Sequence, residues 1–257
     1  MTNNNLTIII PVHELNGEDD IELLQNAQNS LNNQTNKDFK VLFYINDKVK
    51  FKNELDDSLE VNIVKSTEKF SYQTAVNNAV NEIDTDYFSV LEFDDIFHPT
   101  YVKNFYDHLN NQKDDVDLYL NIVFEVNNEN QMMGLRNEIA WVVNKMQKIG
   151  FLDIDSVRQI VGSFSLVGAI YSKEAFLESG GFKFNIEIFF NQEFILRFLN
   201  SGYDIYVMPK ILVNHMNFRK GSYFDLCDKQ YDADEKRGYF NLIHKEYLYK
   251  NDREITI

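Results

Sequence analysis

The chain has little of what would tie it together covalently or fix it in a membrane. Its 257 residues include a single cysteine, Cys227, so no internal disulfide can form, and a lone thiol without a partner motif reads as structural. No run approaches the roughly 18–20 apolar residues that span a bilayer. The apolar run at 6–12 is too short for a signal peptide and has no basic segment before it. These absences predict a soluble, cytoplasmic chain with no membrane span. Basic side chains are also scarce: 25 Lys and Arg face 40 Asp and Glu, a formal charge of −15. Such a surface repels nucleic-acid phosphates and anionic lipid. It leaves room for a nucleotide in a local pocket where a metal ion neutralises the diphosphate. Glycine is sparse as well, with 10 residues and no glycine-rich phosphate loop ending in Lys after the first apolar run.

What is present is core-forming. Hydrophobic residues make up 44% of the chain, and 21 Phe and 14 Tyr supply most of the aromatics, a composition that folds. Residues 6–12 read as a strand buried on both faces, the pattern of a central parallel strand. Ile21, Leu24, Ala27 and Leu31 then fall at helical spacing over 20–32. Strands at 39–45 and 61–64, a helix over 71–83 capped by Ser71, and a strand at 87–91 follow. This alternation predicts an α/β fold with a mostly parallel sheet. Later the pattern gives a helix after Pro99, a strand at 116–126, helical periodicity over 134–161 with Trp141 in the core, and a helix near 188–199. A strand pair at 203–213 broken at Pro209 and an outer helix near 232–249 complete it. The Asn-rich start at 2–5 reads as a frayed tail.

Ligands of open parallel sheets sit beyond the carboxyl ends of the strands. Three polar strand ends converge there: His13-Glu14, Asn46-Asp47 and Glu92-Phe93-Asp94-Asp95. Three carboxylates within four residues repel one another unless a cation or ligand offsets them. Hard oxygen ligands of this kind suit Mn²⁺ or Mg²⁺ bound together with substrate phosphates. Spacing alone allows equally a solvated acidic turn that caps the helix after Pro99.

The order of short motifs resembles family 2 glycosyltransferases from residue 6 to about 215. Thr7-Ile8-Ile9-Ile10-Pro11-Val12-His13 is similar to that family's opening strand, and Asn29-Ser30-Leu31-Asn32-Asn33-Gln34 to its first helix end. Ser71 to Ala79 resembles its "G-x-S-x-A-R-N-x-G" helix, and Leu91 to Asp95 followed by Pro99 its "L-D-x-D-D…P". Gly180-Gly181-Phe182, Asn191 to Arg197 and Tyr203 to His215 resemble its later motifs. The resemblance implies a GT-A type fold: a single Rossmann-like domain over 1–217, with a nucleotide-sugar half to about 115, an acceptor half from 116, and a helical extension at 218–257. It implies that Pro11, Val12, His13, Glu14 and Asn77 line the nucleotide pocket and that Asp47 bonds the base. It places Glu92 and Asp94 at the ribose, and Asp94, Asp95 and His215 around the metal. The implied activity is inverting transfer from a nucleotide-sugar donor, read as UDP-linked.

Three positions depart from the pattern. Glu92 replaces the first Asp of "D-x-D-D", Val76 replaces the Arg of "A-R-N", and Asn191 stands where the family carries its catalytic base. Glu193 is the nearest substitute and Glu187 a further one. Residues i and i+2 of a helix face about 200° apart, so either the backbone is irregular there or Glu193 serves Arg197 at i+4. Asn191 and Val76 motivate a second reading, a weakened relative that binds nucleotide or glycan without transfer. A nucleotidyltransferase is a third, and the acidic stretch 13–20 in place of a phosphate loop counts against it. Acceptors in view are a glycan, a protein or a modified nucleic acid, the last requiring Arg219, Lys220, Lys229 and Arg237 to form a basic patch.

Overall fold

The computed structural model describes residues 5–111, 114–140, 143–159, 164–217 and 219–248. The chain opens with β1 (Leu6–Val12), α1 (Glu18–Asn32), β2 (Lys40–Asn46), β3 (Glu60–Ser66), α2 (Tyr72–Asn81) and β4 (Tyr87–Val90). All seven residues of β1 are buried, because its neighbours β2 and β4 both run parallel to it and helices cover both faces. Alternate side chains serve opposite cores: Ile8 and Ile10 pack with α1 residues Leu24 and Leu31, while Ile9 packs with Val76 and Ala79 of α2. Ser71 caps α2 by accepting the Thr74 N–H at 3.1 Å, as the sequence predicts.

Past the acidic cluster come β5 (Ile96–Phe97), α3 (Tyr101–Asn111), β6 (Leu118–Val126), β7 (Met132–Arg136) and α4 (Ile154–Gln159). Then follow β8 (Ile170–Ser172), α5 (Lys173–Glu178), α6 (Phe190–Asn200), β9 (Ile205–Met216), α7 (Tyr223–Asp228) and α8 (Ala233–Ile243). The sheet order is β3-β2-β1-β4-β8-β6-β9-β5, with β7 paired only to β6. The first four strands are parallel; β8 is antiparallel to both its neighbours, and β6 and β9 are parallel to each other.

Two segments differ from expectation. Residues 134–161 are not mainly helical: Met132–Arg136 forms a hairpin partner of β6, and only a 3-10 turn at Val143–Lys145 and the short α4 follow. Trp141 lies outside the described residues, as do residues 1–4 and 249–257. The predicted strand pair at 203–213 is one continuous strand, β9. Its register jumps from Asn121 opposite Met208 to Ile122 opposite Ile211, so Pro209 sits in a bulge where its missing N–H interrupts no ladder.

The bulge and the short β5 together aim the site. β5 pairs antiparallel with β9, Ile96 opposite Asn214, which sets Asp95 beside His215. The turn after β5 is tied to α1 by buried Gln34, which donates to Ser30 O at 3.0 Å and His98 O at 2.8 Å and accepts the Val102 N–H at 3.1 Å. Gln34→Ala strands His98 and Val102 backbone groups, and is expected to lower stability by about 2–4 kcal/mol, read from urea unfolding midpoints.

Candidate functional site

Three carboxylates meet at the carboxyl end of β4, and each has a different fate. Asp95, 2% exposed, accepts from His215 Nδ1 at 2.8 Å and from the Met216 N–H at 3.2 Å. Asp94 accepts from Arg219 Nε at 2.6 Å. Glu92 has no hydrogen bond or ion pair among the described residues and lines a recess with Pro11, His13, Asp94 and Arg219. Burial pushes the Glu92 carboxyl well above its usual range, and the charges of Asp95 and Asp94 push it further than His215 and Arg219 can offset. Asp94 is also raised, by burial first and then by Asp95, against the opposing pull of Arg219.

The cations respond in kind. Burial alone would lower His215, but the charge and hydrogen bond of Asp95, with Glu92 and Asp94 behind it, push it up to about 9. Arg219 lies 4.9 Å over the Phe93 ring and also donates to Asp20 Oδ1 at 3.0 Å. Asp20 in turn accepts the Asn16 N–H at 2.8 Å, in the first turn of α1. His13 is lowered by burial, so its imidazole is neutral near pH 7. It stacks on Phe70 at 4.9 Å and meets the Tyr223 ring edge at 5.8 Å.

The recess is narrow and open to solvent, with Pro11, His13, Phe70 and Glu92 on its inner side. Its outer wall is the segment after β9: Arg219, Ser222 and Tyr223 line it, and Phe224 stacks on Phe190 at 5.6 Å and packs against Tyr72 at 5.1 Å. A second recess beside it, sharing Phe70, is lined by Asn46, Ser66, Glu68 and Thr74 at the ends of β2 and β3.

Of the predicted pocket residues, the structure brings Pro11, His13, Glu92 and Asp94 together. Glu14 is exposed, with a carboxylate oxygen 4.0 Å from His13. Asp47 is exposed at the end of β2, its N–H bound to Ser66 O at 2.9 Å. Two residues serve the fold instead. Val12 is fully buried in the core on the α1 side of the sheet. Asn77 donates to Phe182 O at 2.7 Å and accepts the Phe182 N–H at 2.9 Å, which uses its carboxamide to clamp α2 onto the Gly180-Gly181-Phe182 turn. A Cβ on Gly181, whose φ is +62°, would stand 2.7 Å from Asn77 Oδ1, so this turn requires glycine.

Around α6 the geometry separates the candidate bases. Asn191 and Glu193 both lie in regular helix, so they face apart. Glu193 is 1% exposed and spends both oxygens on Arg197, at 2.7 and 3.1 Å, with Lys183 at 2.9 Å. Burial raises its carboxyl, but those two cations outweigh it and the net shift is downward, away from a proton acceptor near neutral pH. Arg197 continues to the carbonyls of Ser179 and Gly181, so the pair anchors the glycine turn. Among the described residues Glu187 accepts only from the Tyr231 hydroxyl, at 3.1 Å. Asn191 makes no side-chain hydrogen bond among the described residues.

Of the four basic residues considered for nucleic acid, Arg219 points inward onto acids, Lys229 pairs with Asp225 at 2.5 Å and Arg237 meets Asp234 at 3.4 Å, while Lys220 has no ion pair among the described residues. Asp20, Phe70, Tyr72 and Tyr223 were not singled out by sequence. Asp20 and Arg219 are 199 positions apart, and no local pattern links them.

The donor chemistry at this strand end fits a divalent cation. Carboxylates held together against their own repulsion gain from a dication, and one or two of them completed by phosphate oxygens is the arrangement Mg²⁺ favours. Among the described residues no three such side chains already form a cage.

The family model described as "Glycosyl transferase family 2" matches residues 7–180. The chain belongs to this family. No curated protein matches it in sequence. Its fold is similar to that of TarS from S. aureus: in the complex with UDP-GlcNAc the identity is 14% and the TM-score 0.68, over 94% of this chain and 66% of that one. The 1–349 fragment of TarS gives 12% identity and a TM-score of 0.61, over 82% of this chain and 60% of that one, so the chain spans about three fifths to two thirds of these relatives. A mannosyltransferase from Pyrobaculum calidifontis, bound to GDP-Man and Mn²⁺, matches at 13% identity and TM-score 0.57, over 96% of this chain and 70% of that one. The fold is of the GT-A type. No described helix is long and apolar enough to cross a membrane.

The site's charge balance gives a sign for pH. His215 has a folded value above its ordinary 6.5, so the stability it contributes is complete below about pH 6.5 and is lost as pH rises through about 9. Glu92, raised in the fold, is a penalty that grows above its ordinary 4.5. In metal-free protein at pH 8, Glu92→Gln is therefore expected to raise Tm by about 2–4 °C, equivalent to ~1 kcal/mol in a domain of this size. His215→Ala should flatten the loss of stability between pH 7 and 9.5, both read by calorimetry.

Proposed function

We propose that this family 2 member is an active glycosyltransferase that moves a sugar from a nucleotide-diphosphate donor, read as a UDP-sugar, to an acceptor hydroxyl with inversion. The observation that carries the reading is the convergence of Glu92, Asp94 and Arg219 in one recess at the carboxyl ends of β1 and β4, with the Asp95–His215 pair beside it in the same acidic turn. Neighbours of the same fold bound to UDP-GlcNAc and GDP-Man support a nucleotide-sugar donor. The base lies beyond the ends of β2 and β3 near Asp47, and Glu92 holds a ribose hydroxyl. Mn²⁺ or Mg²⁺, held by Asp95 and Asp94 with His215, would stabilise the negative charge of the leaving diphosphate as a Lewis acid.

The acceptor oxygen attacks the anomeric carbon from the face opposite the diphosphate, and its proton passes to a carboxylate. We assign that carboxylate to Glu187 rather than Glu193. Glu187 precedes α6 beside the Tyr223 wall of the recess, whose hydroxyl it pushes toward the protonated form after burial, and only a neutral hydroxyl engages it. The acceptor is read as a glycan or a protein, a reading supported by the pairing of Arg219, Lys229 and Arg237 with acids. The domain spans 1–217, and Arg219, Ser222 and Tyr223 of the extension wall the donor site.

Asn191 at the family's base position favours a second reading, donor binding without transfer. Release of diphosphate from a panel of UDP- and GDP-sugars with Mn²⁺ decides between them. Asp95→Ala should abolish release. Glu187→Gln should slow turnover by about 10²–10⁴-fold with donor affinity unchanged, while Glu193→Gln should lower Tm. Donor binding with no diphosphate release for any acceptor would establish the second reading.

A further inference from the structure

We propose that Arg219 is the residue that grips the donor's diphosphate, with Asp20 and Asp94 holding its guanidinium in position. The inference rests on the nucleotide-sugar reading and adds to it a ligand that the family-like motifs of this chain do not supply.

The argument begins with charge. A recess lined by Glu92 and Asp94, with Asp95 behind them, repels a diphosphate unless fixed cations face it. The motif of α2 that resembles "A-R-N" carries Val76, fully buried in the core, so no cation comes from there. His13 is neutral near pH 7, and His215 is turned onto Asp95. Arg219 remains, and it lines the recess itself.

Its geometry suits the task. The side chain is 13% exposed, so its charge acts with little screening by water. Nε is fixed by Asp94 and Nη1 by Asp20, and the plane rests over Phe93. No hydrogen bond from Nη2 is found among the described residues, which leaves one edge of the fork for a ligand oxygen. Planar, pre-oriented guanidinium groups are the preferred protein partner of phosphate, and holding the fork in advance lowers the ordering cost on binding. Asp20 is the telling partner. It sits in the first turn of α1 and reaches a residue 199 positions away, which a metal site at Asp94 and Asp95 does not require. Asp20 is a positioning residue, and Arg219 is the one that touches the donor.

Calorimetric titration of the full chain with UDP, UMP and uridine, and with GDP, GMP and guanosine, tests this, with and without Mn²⁺. The wild type should bind the diphosphate of the preferred base more tightly than its monophosphate or nucleoside. Arg219→Gln should weaken the diphosphate by about 10–100-fold and leave the nucleoside unchanged, since a hydrogen bond to a charged group is worth that much. Arg219→Lys, which retains charge but not the fork, should recover only part of the loss. If Arg219→Gln does not fold, Arg219→Lys alone still decides, by losing diphosphate affinity but not nucleoside affinity. Equal loss for nucleoside and diphosphate, or no loss for either, overturns the proposal. A wild type that binds no nucleotide of either series overturns the donor reading itself, whatever the variants do.

Discussion

The structure is organised around an electrostatic conflict: three carboxylates within four residues at the end of a buried parallel strand. Left alone they would force one another toward the protonated form or out into water. The fold resolves the conflict with groups brought from the other end of the chain. β9 passes beside β6, bulges at Pro209, and pairs with β5 so that His215 meets Asp95. Three residues past β9, Arg219 closes onto Asp94 and Asp20. The order of the last strands and the course of the chain after them are thus coupled to the charge of the acidic turn. Glu92 has no hydrogen-bond or ion-pair partner among the described residues and is strongly raised, which marks where the compensation is incomplete.

Around that centre, polar clamps do what disulfides do in other small folds. Gln34 binds the end of α1 to the turn before α3. Asn77 binds α2 to Phe182, and the Glu193–Arg197 pair reaches the carbonyls of Ser179 and Gly181 from the other side. Both grip one glycine turn, which fixes the N-terminal end of α6 and with it the segment carrying Glu187. Phe189 enters α6 at φ +60°, a left-handed conformation that is costly for a bulky residue and persists because its surroundings are held.

Local patterns made much of this legible. The all-apolar strand at 6–12, the Ser71 cap and the acidic strand end each follow from a few adjacent residues, and the order of motifs carried the family. Where the reading failed, the deciding partner was remote. Residues 132–136 form a strand only because β6 offers an edge; Met-Met-Gly-Leu-Arg has neither the length nor the alternation to announce one. Asn77 stands in a nucleotide-like motif, yet its carboxamide is claimed by a backbone 105 residues away. Arg219 stands in the sequence among other basic residues and Asp20 at the start of a helical pattern, and only the fold sets them together. At α6 the sequence allows two cases, and Arg197 selects between them by engaging both oxygens of Glu193.

That selection has a consequence for how the site can work. A carboxylate that anchors a turn through two cations cannot also relay protons, because losing its charge would release the turn. On the proposed transfer, structure and proton transfer therefore fall to different acids on this segment. Glu193 is committed to the first task by burial and by Arg197 and Lys183. Glu187 takes a hydrogen bond from the hydroxyl of a tyrosine beyond α7 and anchors no turn among the described residues. The segment after β9 reaches both places: Arg219 and Tyr223 wall the recess at the acidic turn, and Tyr231 donates to Glu187. A chain truncated after β9 would keep the acidic strand end and lose the arginine that Asp94 and Asp20 hold.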